Sequence, residues 1–364
     1  MSTTKLLIQP GTGIKPLLEG IDAAEHTIQI VIFRFDRGEI EGALKRAVRR
    51  GVFVHALVAH TMAGQGGAAT LRKLELRLLA DGVTVARTSS DLVRYHEKLM
   101  IIDKRELYML GFNYTYLDIE RSRSFGILTD HRTWVQEAEK LFMADTLRQQ
   151  YSPGCDTFLV SPGNSRQQLI ALLAGAKKEL LIYDGKLSDP DVMRLLAAKV
   201  RSGVSVRVIG SAGKRAVGVH AVRSDMRLHA QAVVRDGEEL FLGSQSLRSL
   251  ELDARREVGL IIRDRAIVSQ VASTFEGDWK RITSDQKFAP AVPADLVSID
   301  EFNFDAPNAA DPVSPELSIQ IVKSAVKEAI KDAIMESVHE NYEDIPLKSA
   351  VKDAAKEALV ELAQ

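Results

Sequence analysis

Tyr95-His96-Glu97-Lys98-Leu99-Met100-Ile101-Ile102-Asp103 and Leu228-His229-Ala230-Gln231-Ala232-Val233-Val234-Arg235-Asp236 share one pattern of residue types. In the first, His96, Lys98 and Asp103 stand in the order His-x-Lys-x4-Asp; the second keeps His229 and Asp236 but carries Gln231 where a lysine would stand. Residues two apart in an extended chain point to the same face, so His96 and Lys98 can meet one anionic group. The apolar run that follows them supplies the strand. A turn and a further strand then bring Gly111, Phe112 and Asn113 back beside it, where the Asn113 amide adds a donor. Gly243, Ser244 and Ser246 follow the second stretch, with Ser246 in the place of an asparagine.

Working outward, the two stretches prove to be parts of a longer duplication. Residues 27–33 are β-branched and apolar and read as a buried strand; a helix follows over about 39–50, Gly51 ends it, and 52–58 reads as a second strand. The pattern returns with a strand at 178–183, a helix at 191–201, Gly203, and a strand at 204–209. Ala24 and Ala176, and Gly51 and Gly203, lie 152 residues apart; His96 and His229, Asp103 and Asp236, and Gly126 and Gly259 lie 133 apart. The difference of 19 residues is expected in a longer loop of the first half, around residues 61–70. Its Gly/Ala-rich piece, 63–69, lacks the Lys-Ser/Thr ending of a phosphate-cradling loop and reads as a flexible connection.

Composition sets the outer limits. A chain of 364 residues exceeds what one core usually holds, in keeping with a fused duplication. No apolar run approaches the ~20 residues that a membrane-spanning helix needs, and the start, MSTTKLLIQPGTG, lacks the basic opening and apolar stretch of a secretory signal, so the expected location is the cytoplasm. Cys155 is the single cysteine, which excludes an intrachain disulfide and a thiolate metal cluster. With 48 basic and 49 acidic side chains, bulk charge does not hold a nucleic acid. Between residues 194 and 228, however, eight Lys or Arg face one acid, Asp225, either as a solvated face or as a rim that draws anions toward His229.

Past residue 285 the character changes. Residues 288–315 hold five prolines without periodicity and read as a linker. Ser314-Pro315-Glu316 then opens a helix whose Ile319, Val322, Val326, Ala329 and Ala333 share a face, and a second helix begins near Pro346. The organisation expected is a first repeat in 1–150, a second in 151–287, the linker in 288–315 and a helical pair in 316–364. The pair serves self-association or partner binding, or folds back on its own domain.

Two histidine motifs at matched points of a duplicated α/β unit make the chain resemble the phospholipase D superfamily, in the style of bacterial cardiolipin synthase-like proteins, over roughly residues 8–282. The resemblance implies two α/β/α repeats whose motifs meet at a pseudo-twofold interface. It also implies metal-independent, cofactor-free chemistry through a phosphohistidine: one imidazole attacks phosphorus while the other protonates the leaving oxygen. By position His96 is the family's nucleophile and His229 its general acid. Lys98 and Asn113 hold the non-bridging oxygens, with Gln231, Ser244 and Ser246 as second-half donors. Asp103 and Asp236 complete the catalytic motif and are expected to brace the fold rather than touch substrate.

The family orients its imidazoles with later acidic residues, and Glu257 fits that place in the second half while Ser124 stands there in the first. A serine does not stabilise an imidazolium, so the assignment stays open and the better-placed acid favours His229 as nucleophile. Gln231 binds phosphate less tightly than a lysine would. The function implied is a phosphodiesterase or phosphatidyltransferase with a phospholipid substrate, in peripheral contact with a membrane. The alternatives are a nuclease of the same superfamily and a phosphate-binding scaffold that has lost turnover. Aromatic residues, at 6%, offer no base-stacking platform.

Overall fold

The computed structural model describes residues 2–60, 67–213 and 215–286. The linker expected at 288–315 and the helical pair at 316–364 lie outside the described residues. The first repeat runs β1 (Thr4–Gln9), α1 (Lys15–Ala23), β2 (Thr27–Ile32), α2 (Gly38–Arg49), β3 (Phe53–Val58), α3 (Gly67–Ala80), β4 (Thr84–Arg87), β5 (Arg94–Tyr95), β6 (Leu99–Ile102), β7 (Glu106–Leu110), α4 (Tyr116–Arg121), β8 (Ser122–Thr129) and α5 (Arg132–Thr146). The second runs β9 (Phe158–Ser161), α6 (Ser165–Ala174), β10 (Glu179–Leu187), α7 (Pro190–Arg201), β11 (Ser205–Ala212), β12 (His220–Val222), β13 (Arg227–Leu228), β14 (Gln231–Arg235), β15 (Glu239–Gly243), α8 (Ser249–Asp253), β16 (Arg255–Ile262) and α9 (Arg265–Gln286).

Local chemistry explains the strand, helix, strand units. In α2 the buried Ile40, Ala43, Leu44 and Ala47 fall on one face, Glu39 and Glu41 sit in the first turn, and Arg46 and Arg49 in the last, as the helix dipole favours. Helix α7 starts on Asp189, whose side chain accepts from the amides of Asp191 and Val192, with Pro190 at the first helical position. Both helices stop at a glycine in the left-handed region, Gly51 at φ 90° and Gly203 at φ 89°.

The sheets repeat the same topology. The first has the order β1-β8-β7-β6-β2-β3-β4; the second runs β12-β11-β10-β14-β15-β16, with β9 also on β16. Within each, the crossover strands are parallel and the strands that follow the histidines antiparallel: β2 pairs β3 in parallel and β6 in antiparallel fashion, and β10 does the same with β11 and β14. Alternation along β10 sends Leu180 and Ile182 to a core under α6 and α7, and Leu181 and Tyr183 to a core shared with the first repeat. In that shared core Phe125 of β8 meets Tyr183 edge-on at 5.3 Å between centroids, and Tyr183 meets Phe275 of α9 at 5.2 Å. Such aromatic pairs add about 0.5–1.5 kcal/mol each beyond area burial.

One finding corrects the sequence reading, and a second bears on the aspartates of its motifs. The first half's extra length is not a loop throughout: Gly67–Ala80 is helix α3, burying Leu71, Leu74 and Leu78 at helical spacing. In the second repeat the corresponding connection shrinks to residues 213–219. Asp103 and Asp236, placed with the catalytic motif, are structural. Asp103 accepts the amides of Glu25, His26 and Thr27 at 2.7–2.9 Å, and Asp236 those of Lys177, Lys178 and Glu179 at 2.7–3.2 Å. Each carboxylate ties the far end of the strand that follows its histidine to the start of the neighbouring strand, some seven residues, or roughly 20 Å of extended chain, from that histidine.

The repeats are also joined by two matched ion pairs. Arg123 of β8 grips Asp278 of α9 through Nε at 2.7 Å and Nη2 at 2.9 Å, and Arg256 of β16 reaches Asp145 of α5 at 2.9 Å. Both partners are offset by 133 residues. Asp278 also accepts the Tyr183 hydroxyl at 2.7 Å, and these partners hold its carboxyl low although burial pushes the other way. Removing one member of a buried pair strands the other charge. Asp278→Ala is therefore expected to cost about 3–5 kcal/mol in urea unfolding, and a loss under 1 kcal/mol would show that the pair adds nothing to the joint.

Candidate functional site

The strands before the histidines change sheets. Arg94 and Tyr95 of β5 run parallel to Arg255 and Arg256 of β16, and the His96 amide donates to Arg256 O at 2.8 Å. Arg227 and Leu228 of β13 run parallel to Ser122 and Arg123 of β8, and the His229 amide donates to Arg123 O at 3.0 Å. Each histidine thus hangs from the last strand of the opposite repeat. The two rings face each other with centroids 6.4 Å apart and planes at 45°. Reacting atoms approach to about 3–3.5 Å before bonding, so this gap suits a single tetrahedral phosphorus between the rings.

The first motif lies on the short segment that links β5 to β6. His96 and Lys98 point into the cleft, and Glu97 points into the core, where burial holds its carboxyl well above the usual range. The Lys98 ammonium lies 3.0 and 2.9 Å from the two His96 ring nitrogens and donates to His96 O at 2.8 Å. Full burial lowers its pKa to about 8, against the pull of Glu257 and Asp118. His96 Nδ1 lies 3.0 Å from both carboxylate oxygens of Glu257, which is itself wholly buried. Phe33 packs edge-on against the ring at 4.7 Å. Burial, then the charges of Lys98, Arg255 and Arg94, keep His96 well below its ordinary pKa.

The second motif is built differently. His229 Nδ1 lies 3.6 Å from Asp118 Oδ1. Burial lowers His229 to about 4, with Asp118 pulling upward and Lys98, Arg227 and Arg34 pushing down. Asp118 Oδ2 accepts from Asn113 N at 2.8 Å and Asn113 Nδ2 at 2.7 Å, and Arg227 pairs with Oδ1.

These positions revise several expectations. Glu257 serves His96, not His229, because the exchange of β5 onto β16 sets the acid of one repeat beside the histidine of the other. His229 therefore gains no support from Glu257 as the nucleophile. Asn113 holds Asp118. Ser244 bonds both backbone groups of Val258, and the Ser246 hydroxyl donates to Asp184 at 2.6 Å, so neither hydroxyl is held ready for an anion. Gln231, Ser244 and Ser246 do line a cavity of about 190 Å³ beside His96, together with Lys186, Arg248 and Arg255.

Sequence reading missed Asp118, Phe33 and the arginines. Arg94 and Arg227 could have been found, since each stands two residues before its histidine at the 133-residue offset. Asp118 was hidden because Thr115-x-x-Asp118 has the spacing of a helix cap, and the Thr115 side chain does accept the Asp118 amide.

The comparisons agree with this architecture. The family model described as "Cardiolipin synthase, PLD-like domain" matches residues 17–146 and 169–279, one segment in each repeat. Cardiolipin synthase 1 of Bacillus anthracis is 22% identical over 348 residues, covering 78% of this chain and 67% of that protein. Among solved structures, phosphatidylserine synthase from Haemophilus influenzae Rd KW20 superposes with a TM-score of 0.59 at 12% identity, over 77% of this chain and 86% of that one. Polyphosphate kinase from Porphyromonas gingivalis superposes with a TM-score of 0.63 at 17% identity, over 75% of this chain, which spans only 46% of the kinase. At these identities the solved structures show a common fold. With the family model spanning both repeats and the two motifs facing across their interface, the chain belongs to the phospholipase D superfamily, within the cardiolipin synthase-like domain family.

Proposed function

We propose that the chain is a phosphodiesterase or phosphatidyltransferase that works through a phosphohistidine on His96 and takes a phospholipid as substrate. The observation that carries this reading is the pair of imidazoles 6.4 Å apart, each near a carboxylate of the opposite repeat or of its own junction, in one cationic cleft. His96 is the nucleophile because burial, and then the charges of Lys98, Arg255 and Arg94, disfavour its protonated form, and because Glu257 lies at hydrogen-bond distance from its Nδ1. Glu257 engages Nδ1, which leaves Nε2 to attack phosphorus as the bond to the leaving oxygen breaks. His229, on the far side of the phosphorus, gives that oxygen a proton. Water or an alcohol then returns a proton to His229 as its oxygen displaces Nε2 from phosphorus. Lys98, beside Nε2, balances the charge gained by the non-bridging oxygens. The lipid preference draws on the named relatives, a cardiolipin synthase and a phosphatidylserine synthase.

Hydrolysis of a chromogenic phosphodiester with EDTA present is the direct test. His96→Ala and His229→Ala should each lower the rate by ~10²–10⁴, and mass spectrometry of the quenched wild type should find phosphate on His96. Equal rates in all three proteins would leave a phosphate-binding scaffold. Cleavage of single-stranded DNA without cleavage of phosphatidylglycerol vesicles would move the same chemistry to nucleic acid. Gln231→Lys should raise turnover by roughly fivefold to tenfold, from the ~1 kcal/mol separating a charge-assisted hydrogen bond from a neutral one.

Lys98 gives a pH prediction. With its pKa near 8, the ammonium is charged below that value and neutral above it. Sulfate keeps its charge over this range, so its affinity by titration calorimetry should weaken as the pH rises past 8. Lys98→Gln should abolish the step, and an unchanged step in that variant would assign it to another group.

A further inference from the structure

The second histidine lacks an acid at the position that serves the first. The pseudo-twofold relation carries Glu257 of β16 onto residue 124 of β8, which is a serine whose hydroxyl donates only to Asp118 O, at 3.5 Å. We infer that Asp118 has taken over the work of position 124: it is the positioning carboxylate of His229, reaching the imidazole from helix α4 instead of strand β8, with Arg227 as its charge partner. This rests on the assignment of His229 as the proton carrier.

The geometry is specific to this half. Asp118 is buried, and its Oδ2 is fixed by two hydrogen bonds from Asn113 at 2.8 and 2.7 Å, so Oδ1 is held 3.6 Å from His229 Nδ1. Arg227 pairs with that same oxygen and donates to Ser122 Oγ at 2.7 Å. It stands two residues before His229, as Gln231 stands two after, so the cation missing from one side of the histidine is present on the other. The residue matching Asp118 in the second repeat is Glu251, at the 133-residue offset. Glu251 pairs with Arg248 and, at 2.7 Å, with Arg255, and leaves His96 to Glu257. The same helical position has therefore diverged, toward the histidine in one half and away from it in the other.

Asp118→Asn, Ser124→Glu and the double variant in the full chain test the assignment, each checked by circular dichroism. Two readouts are used: phosphodiester hydrolysis across pH, and NMR titration of ¹⁵N-labelled histidines, with His229 assigned from its own substitution. The groups facing His229 are Asp118 of α4, Arg227 of β13, Lys98 before β6, Arg34 after β2, and His96. Asp118→Asn removes the one acid among them. It should lower kcat ~10²–10⁴-fold, move the His229 titration to lower pH, and shift the pH limb that requires its proton in the same direction. Adding Ser124→Glu should restore at least about tenfold in kcat and return the titration toward wild type. An unmoved His229 titration in Asp118→Asn, or no recovery in the double variant, would overturn the proposal and leave Asp118 as a brace for Arg227 and Asn113. Wild type inactive on every phosphodiester would instead refute the catalytic reading, and the NMR comparison would still decide what Asp118 does to His229.

Discussion

The rest of the molecule depends on a backbone exchange: β5 of the first repeat completes its hydrogen bonds on β16 of the second, and β13 of the second does so on β8 of the first. A buried amide left unpaired costs ~1–3 kcal/mol, so the amides of His96 and His229 anchor both rings only when the repeats are docked. The matched pairs Arg123–Asp278 and Arg256–Asp145 lie along the same junction and involve the residues whose carbonyls take the two histidine amides. Folding the interface and building the cleft are thus one event.

Electrostatics within the cleft departs sharply from that of the chain. The sequence is nearly neutral overall, at −1, yet Lys98, Arg94, Arg255, Arg227 and Arg34 all act on the two imidazoles. Their charges and the burial of the rings favour neutral histidine, which suits a nucleophile and works against a proton donor. The two carboxylates restore the balance unequally. Glu257 touches His96 at hydrogen-bond distance, whereas Asp118 stands farther from His229 and divides its attention among Asn113, Arg227 and the ring. Glu97, between His96 and Lys98, turns to the core, where burial pushes its carboxyl well above the usual range.

Much of this was legible in the sequence because it depends on local periodicity. The β-branched strands, the glycine-terminated helices and the constant offsets read directly as a duplicated α/β unit, and the strand period put His96 and Lys98 on one face. What escaped depends on contacts between residues far apart in the chain. Nothing in Arg256-Glu257-Val258-Gly259 says that its acid belongs to a histidine 161 positions earlier, since that follows from the strand exchange and not from any pattern within a half. Asp118 stands at the spacing of a helix cap and is part of one, and nothing in that spacing points to a histidine. The Gly/Ala opening of α3 concealed a helix whose leucines, farther on, were the better signal. The aspartates that end each motif are expected to brace the fold, but the three amides that each one holds lie 57 to 78 residues away and could not be read from the motif.

The pseudo-twofold axis has one more consequence. If the two halves were separate, identical subunits, the axis would be exact, and every substitution would fall on both histidines at once. Joined in one polypeptide, the halves can mutate singly. Glutamine at 231, serine at 124 and the opposite allegiances of Asp118 and Glu251 are changes that identical subunits could not have made on one side only. Covalent fusion is what permits two like imidazoles to acquire unlike duties.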